Sequence, residues 1–181
     1  FRPIIQAFYE ACDALSLRLL RIMARNLGMP PESLDAHFRP AHTSFVRFNY
    51  YPKCSQPVKP LGVNPHTDSG ALTLLLQDAP ALEVSRNRTW WLVEPVPGAL
   101  TVNIGDMMQV WSNDEYAAPL HRVLATEEER FSAPFFFNPS YATNYAPLPS
   151  VVDPRHPARY RSINWREFRD QRAAGDYADA G

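Results

Sequence analysis

Cysteine is scarce in this sequence: two residues in 181, Cys12 and Cys54, at a spacing that forms neither a disulfide framework nor a metal knuckle. Disulfide-stapled secreted scaffolds and cysteine zinc sites are excluded, and a reducing cytoplasm is the default compartment. Charge bias is also lacking. A formal net charge of -1 offers no attraction for nucleic acid or an anionic membrane, so neither is expected as a partner. No run approaches the roughly 18 apolar residues of a membrane span, and no signal-peptide pattern opens the chain. Internal repeats and low-complexity tracts are absent. Glycine is sparse too, at seven against 18 prolines, which fits short strands with rigid, proline-stopped connections. What remains is an ordinary globular composition, 45% hydrophobic and 20% charged. One domain over 1–181, able to bury roughly 70% of its unfolded surface, and a monomer are expected.

Helical periodicity is confined to the ends. Ile4, Phe8, Cys12, Leu15, Leu19 and Ile22 are spaced as one face of a helix over 3–27, stopped by Gly28 and Pro30-Pro31. Arg18, Arg21 and Arg25 read as its solvated side, and Leu34 to Phe38 as a short second helix. From Phe45 to Tyr141 the pattern is strands and turns. Strands are predicted at Phe45–Pro52 (stopped by a Cys54–Pro57 turn), Ala71–Asp78, Ala81–Val84, Trp90–Val93, Leu100–Ile104, Met107–Trp111, Leu120–Ala125 and Ser132–Phe137, with a turn at Asn103–Asp106. Pro147 to Pro157 reads as an irregular connection, and Asn164–Ala173 as a helix that then frays. The organisation predicted is supporting helices over 1–40, a β core over 45–141 and an extension over 142–181.

Within that core lies His66-Thr67-Asp68, with His121 53 residues beyond the aspartate. Residues i and i+2 of an extended strand project to one face, so His66 and Asp68 can reach one ion while His121 arrives from another strand. Two imidazoles and a carboxylate are the facial set that holds non-haem Fe(II) and leaves three positions open. An H-x-D triplet alone is common; the turn residues Asn64-Pro65 and Ser69-Gly70 and the apolar strand that follows strengthen it.

Arg130 and Ser132 share a strand face, as do Phe136 and Asn138. The acidic Thr126–Glu129 stretch reads as a hairpin tip joining the His121 and Arg130 strands. Arg130 is then expected deep, beside a metal ligand, with a fork that matches a carboxylate and a serine hydroxyl to assist. A dicarboxylate that chelates the metal through a 2-oxo acid end fits this layout. Asn49 and Tyr51 can direct hydrogen-bonding groups into one pocket, and Arg47 lies on their face. Phe136 and Asn138 are expected on its substrate side. Trp111, Tyr141 and Tyr145 read as core or surface aromatics, and His37, His42 and His156 as surface residues.

The segments N-Y-Y-P…L-G…H-T-D…L-T-L-L-L-Q-D (Asn49 to Asp78), P-G-A-L-T-V-N-I-G-D-M-M-Q (Pro97 to Gln109) and H-R-V…R-F-S (His121 to Ser132) resemble the isopenicillin-N-synthase-like class of iron(II)/2-oxoglutarate-dependent dioxygenases. The resemblance implies a mainly β fold, a double-stranded β-helix or jelly roll, with a long N-terminal and a short C-terminal helix. It implies iron on His66, Asp68 and His121, and the distal 2-oxoglutarate carboxylate on Arg130 and Ser132 with help from Tyr51 and Asn49. Oxidation of a C–H bond of a small organic substrate by O2, releasing succinate and CO2, is the expected activity. A carboxylate at Asp68 favours hydroxylation, desaturation or ring formation, since halogenating relatives replace that ligand by a small residue. Isopenicillin N synthase and the aminocyclopropane-carboxylate oxidases share the metal set and an R-x-S without using 2-oxoglutarate. An oxidase of that kind, or a non-catalytic metal- or ligand-binding jelly roll, is therefore the alternative; Tyr51 in N-Y-Y-P tips the balance to 2-oxoglutarate. Family members carry a further N-terminal segment, so a chain truncated at its N-terminus is expected.

Overall fold

The computed structural model describes residues 1–53 and 61–173; the turn expected at Cys54–Pro57 and the fraying beyond Ala173 lie outside them. Helix α1 runs Arg2–Asn26 with Pro3 in its first turn, and Gly28, at φ 76°, reverses the chain so that Met29 N–H donates to the Ala24 carbonyl. Its buried stripe is Cys12, Ser16, Leu20, Met23 and Ala24, rotated from the expected face; Ile4 and Ile22 are exposed. The side turned inward is the one whose Cys12, Leu20, Met23 and Ala24 join the main core. Arg21 is not merely solvated: its guanidinium pairs with Asp35 of the Pro31–His37 3-10 helix. Burial pushes the Cys12 thiol up to about 11, so it is an inert core group.

Eleven strands follow among the described residues: β1 Phe45–Val46, β2 Asn49–Tyr51, β3 Leu61–His66, β4 Leu72–Gln77, β5 Leu82–Arg86, β6 Thr89–Leu92, β7 Thr101–Ile104, β8 His121–Leu124, β9 Arg130–Phe137, β10 Asn144–Tyr145 and β11 Ile163–Asn164. Nine of them form two antiparallel sheets. The larger has the order β1–β9–β4–β7 with β2 also on β9, and the smaller has the order β3–β8–β5–β6. β10 and β11 make a separate ribbon. The sheets lie face to face as a jelly roll with a cavity between them. β4 is an inner strand, flanked by β9 and β7, with Leu72 to Leu75 all buried, hence a leucine run interrupted only by Thr73.

The outer face of the larger sheet is covered at one end by α1, where Leu72, Leu74, Phe135 and Phe137 join the main core. At its other end Phe48, Tyr50, Leu76, Val102 and Phe131 are exposed. Tyr145, Leu148 and Trp165, the last opening helix α3 (Trp165–Ala173), are buried in that same core. Trp111 is core as well, whereas Tyr141 is exposed and stacks under Arg166.

Two expectations are corrected. The Met107–Trp111 segment is helix α2, Asp106–Trp111, not a strand, and Asn103-Ile104 ends β7 instead of forming a turn. A short apolar run carries no period to separate the two, and Gly105 and Asp106 start a helix there. The Thr126–Glu129 stretch is not a hairpin tip. β8 pairs with β3 and β5 while β9 pairs with β4, β1 and β2, so the loop crosses from one sheet to the other.

Candidate metal centre and co-substrate cavity

His66 ends β3 and His121 opens β8, and the two are direct cross-strand partners with ring centroids 4.3 Å apart. Asp68 lies just beyond the strand end, 6% exposed. Its Oδ1 is 3.9 Å from His66 Nε2 and 3.7 Å from His121 Nε2. Two donors about 2.1 Å from one ion can be at most about 4.2 Å apart, so both separations suit a shared metal. Each imidazole is oriented from behind. His66 Nδ1 is 2.8 Å from the Asn64 carbonyl and His121 Nδ1 is 3.0 Å from the Pro119 carbonyl. A carbonyl can only accept, so each Nδ1 carries the proton and each Nε2 presents its lone pair to the ion. Burial is the largest cause lowering the His66 pKa, which keeps that ring neutral.

The aspartate loop is clamped by two segments that the sequence marks only as turns, around Gly70 and Gly105, and by Arg172. Gly105 and Gly70 bring two backbones together: a Cβ at Gly105 would stand 2.0 Å from the Gly70 carbonyl oxygen. Asp106 N–H donates to the Asp68 carbonyl at 2.7 Å, and Met107 N–H to that of Gly70 at 3.2 Å. Arg172 of α3 closes the clamp, pairing with Asp106 at 2.8 Å and donating to the Thr67 carbonyl at 2.8 Å. The glycine-aspartate pair at a helix start was a usable signal; nothing local marked Arg172.

Arg130 opens β9 opposite Tyr51, faces the metal side from the other sheet and is 1% exposed. It stands across the cavity from the histidines, not beside them as a hairpin would have placed it. Its Nε donates to the Ala79 carbonyl and its Nη2 to Gln77, while Tyr51 lies under the guanidinium with its centroid 4.9 Å away. Its Nη1 is buried without a hydrogen-bond partner among the described residues, and so is Asp68 Oδ2. Both residues line one cavity of about 110 Å³, with Asn49, Tyr51, Ser132 and Phe136. Ser132 Oγ accepts from Asn49 Nδ2 at 3.2 Å, which leaves its own proton to donate. Buried polar groups without partners are costly, so an orphan cation and an orphan carboxylate oxygen in one cavity fit an anion at one end and a metal at the other. The donor set, two nitrogens and a carboxylate, suits Fe(II).

Phe136 borders this cavity and also an outer groove. Asn138 touches the groove only and is 2% exposed; its side chain lies against Gly70 and donates to the Thr43 carbonyl. His37 and His42 are half-buried instead of surface residues, His37 against Trp111 and His42 beside Asp13, and neither lines the cavity. His156 is exposed, as expected.

Comparisons with known proteins agree with this geometry. The family model of the 2OG-Fe(II) oxygenase superfamily matches residues 42–139. Jasmonate-induced oxygenase 2 of Arabidopsis thaliana is 36% identical over 93% of this chain and 46% of its own length. Oxoglutarate-dependent flavonoid 7-O-demethylase 1 of Ocimum basilicum is 34% identical over 93% and 46%. The crystal structure of JOX2 in complex with 2OG, Fe and JA superposes with a TM-score of 0.87 at 36% identity, covering 93% of this chain and 51% of that one. The crystal structure of the dioxygenase for auxin oxidation in rice gives 0.86 at 29%, covering 97% and 60%. The chain spans about half the length of the curated relatives it matches.

Proposed function

The chain belongs to the 2OG-Fe(II) oxygenase superfamily, and from that premise we propose that it oxidises a C–H bond of a small organic substrate with release of succinate and CO2. His66, Asp68 and His121 would hold Fe(II), and Arg130 and Ser132 would hold the distal carboxylate of 2-oxoglutarate. With both bound, iron, 2-oxoglutarate and O2 supply the oxidising chemistry. The protein's part is to hold, orient and exclude. The Asn64 and Pro119 carbonyls fix the imidazoles, and the Asp106 N–H fixes the aspartate loop. Tyr51 and Gln77 hold the guanidinium so that Nη1 is the free donor, and the Ser132 hydroxyl adds a second. Val63, Leu75, Leu82 and Val123 line the cavity and would exclude water from a bound co-substrate.

The unpartnered Nη1 of Arg130 is the observation that carries this reading. An oxidase without 2-oxoglutarate would place a substrate carboxylate on that donor instead, and co-substrate titration separates the two. Anaerobic addition of 2-oxoglutarate to the Fe(II) form should raise a visible charge-transfer band, and His121→Ala should abolish it. Absence of the band, with substrate oxidised but no succinate released, would move the protein to the oxidase class.

A further inference from the structure

A groove of about 970 Å³ opens on the other side of the metal ligands, bordered by His66 and Asp68. Three arginines line it: Arg47, which also borders the inner cavity, and Arg169 and Arg172 from α3. The one carboxylate in its lining is Asp68, which the metal claims. Arg172 is engaged by Asp106 and the Thr67 carbonyl. The Arg47 and Arg169 guanidinium groups have no ion pair or hydrogen bond among the described residues; Arg47 is exposed at the groove, while Arg169 is half-buried and lies 5.7 Å from the centroid of the Trp165 ring. The opposite wall is apolar, with Phe45 and Phe136 stacked at 4.9 Å and Leu120 nearby. A half-buried cation lacking a counter-charge is costly, and a planar guanidinium is best met by a carboxylate. A neutral substrate would leave the half-buried Arg169 without a counter-charge.

We infer that the primary substrate is a small organic acid, an apolar molecule whose carboxylate is held by Arg47 and Arg169 while its body lies on Phe45 and Phe136 toward the open side of the metal. This deepens the oxygenase reading and rests on it. Its carboxylate site is separate from Arg130, which serves the inner cavity.

The test is calorimetric titration of phenylacetate, 4-phenylbutyrate and octanoate, each against its primary amide, into the anaerobic Fe(II) protein with and without saturating 2-oxoglutarate. Saturation occupies Arg130, so an acid that still binds reports the groove. At least one acid should bind about tenfold or more tightly than its amide. Arg169→Gln and Arg47→Gln should each bring that ratio close to one. In Arg169→Gln the 2-oxoglutarate affinity should stay within about twofold of the parent. The inference fails if no acid is preferred over its amide, absence of binding included, or if the preference survives in the double variant. An acid preference that persists without any 2-oxoglutarate chelate band would sink the oxygenase reading and leave the acid site standing.

Discussion

At Arg130, burial, charge and an unmet donor coincide in one side chain. The guanidinium is held by Ala79, Gln77 and Tyr51, so its geometry does not depend on a ligand. Arg130→Ala should therefore remove co-substrate affinity without disturbing the metal. Loss of one partner of a buried charge pair costs about 2–5 kcal/mol, roughly 30- to several-thousand-fold. Ser132→Ala removes one hydroxyl donor and should cost about 1 kcal/mol. Anaerobic titration of both variants checks this, and equal losses would contradict the assignment. Gly105 is a second residue-scale case. Its backbone is ordinary, but a methyl group would meet the Gly70 carbonyl at 2.0 Å and that of Asp68 at 3.0 Å. Backbone cannot move aside as a flexible side chain can. Gly105→Ala should lower stability by about 1–3 kcal/mol, visible as a lower Tm, and weaken metal binding with it. An unchanged Tm would show that the two loops separate freely.

Among the elements, the two short helices matter most to the site. α2 starts where β7 ends, and its first N–H groups reach the Asp68 and Gly70 carbonyls. α3 comes from nearly 100 residues away in sequence and delivers Arg172 to the Thr67 carbonyl and Asp106. Arg172 touches no metal-ligand atom in these bonds; it positions the loop that carries Asp68. Arg172→Gln should weaken Fe(II) binding about 10- to 100-fold, the range for groups that orient metal ligands, while the fold's thermal transition stays within a few degrees. Metal affinity and Tm measured on the same variant separate the two effects. A large Tm loss with intact metal affinity would make Arg172 a structural residue only.

For the whole molecule, acid is the informative perturbation. Burial, the largest cause for each, lowers the pKa of His37, His42 and His66 below the ordinary 6.5. They lie on the 3-10 helix, on the segment before β1 and at the end of β3. In the unfolded chain these rings protonate first, so it binds more protons as the pH falls. Their stabilising contribution is complete above about pH 6.5 and is lost as the pH drops through the lowered values. The metal-free protein should show a Tm that declines from about pH 7 to about pH 5. A level or rising Tm across that window would contradict it.

Several features needed no third dimension. The i, i+2 spacing of His66 and Asp68, the separate strand bearing His121, the face shared by Arg130 and Ser132, and a β core between terminal helices follow from side-chain period and residue chemistry, which are local properties. Which strands pair is not local. The sheet crossing between β8 and β9 turned an expected hairpin into a link across the cavity, and so placed Arg130 opposite the histidines. Tertiary contact also decided that Met107–Trp111 coils, since an aperiodic apolar run is equally content as strand or helix until a neighbour such as Gly70 accepts its first turn. The burial of His37 and His42, the rotated stripe of α1 and the arrival of Arg172, Arg169 and Arg47 at one groove depend on long-range packing. Packing energy comes from partners distant in sequence, and no short window of residues contains both sides of such a contact.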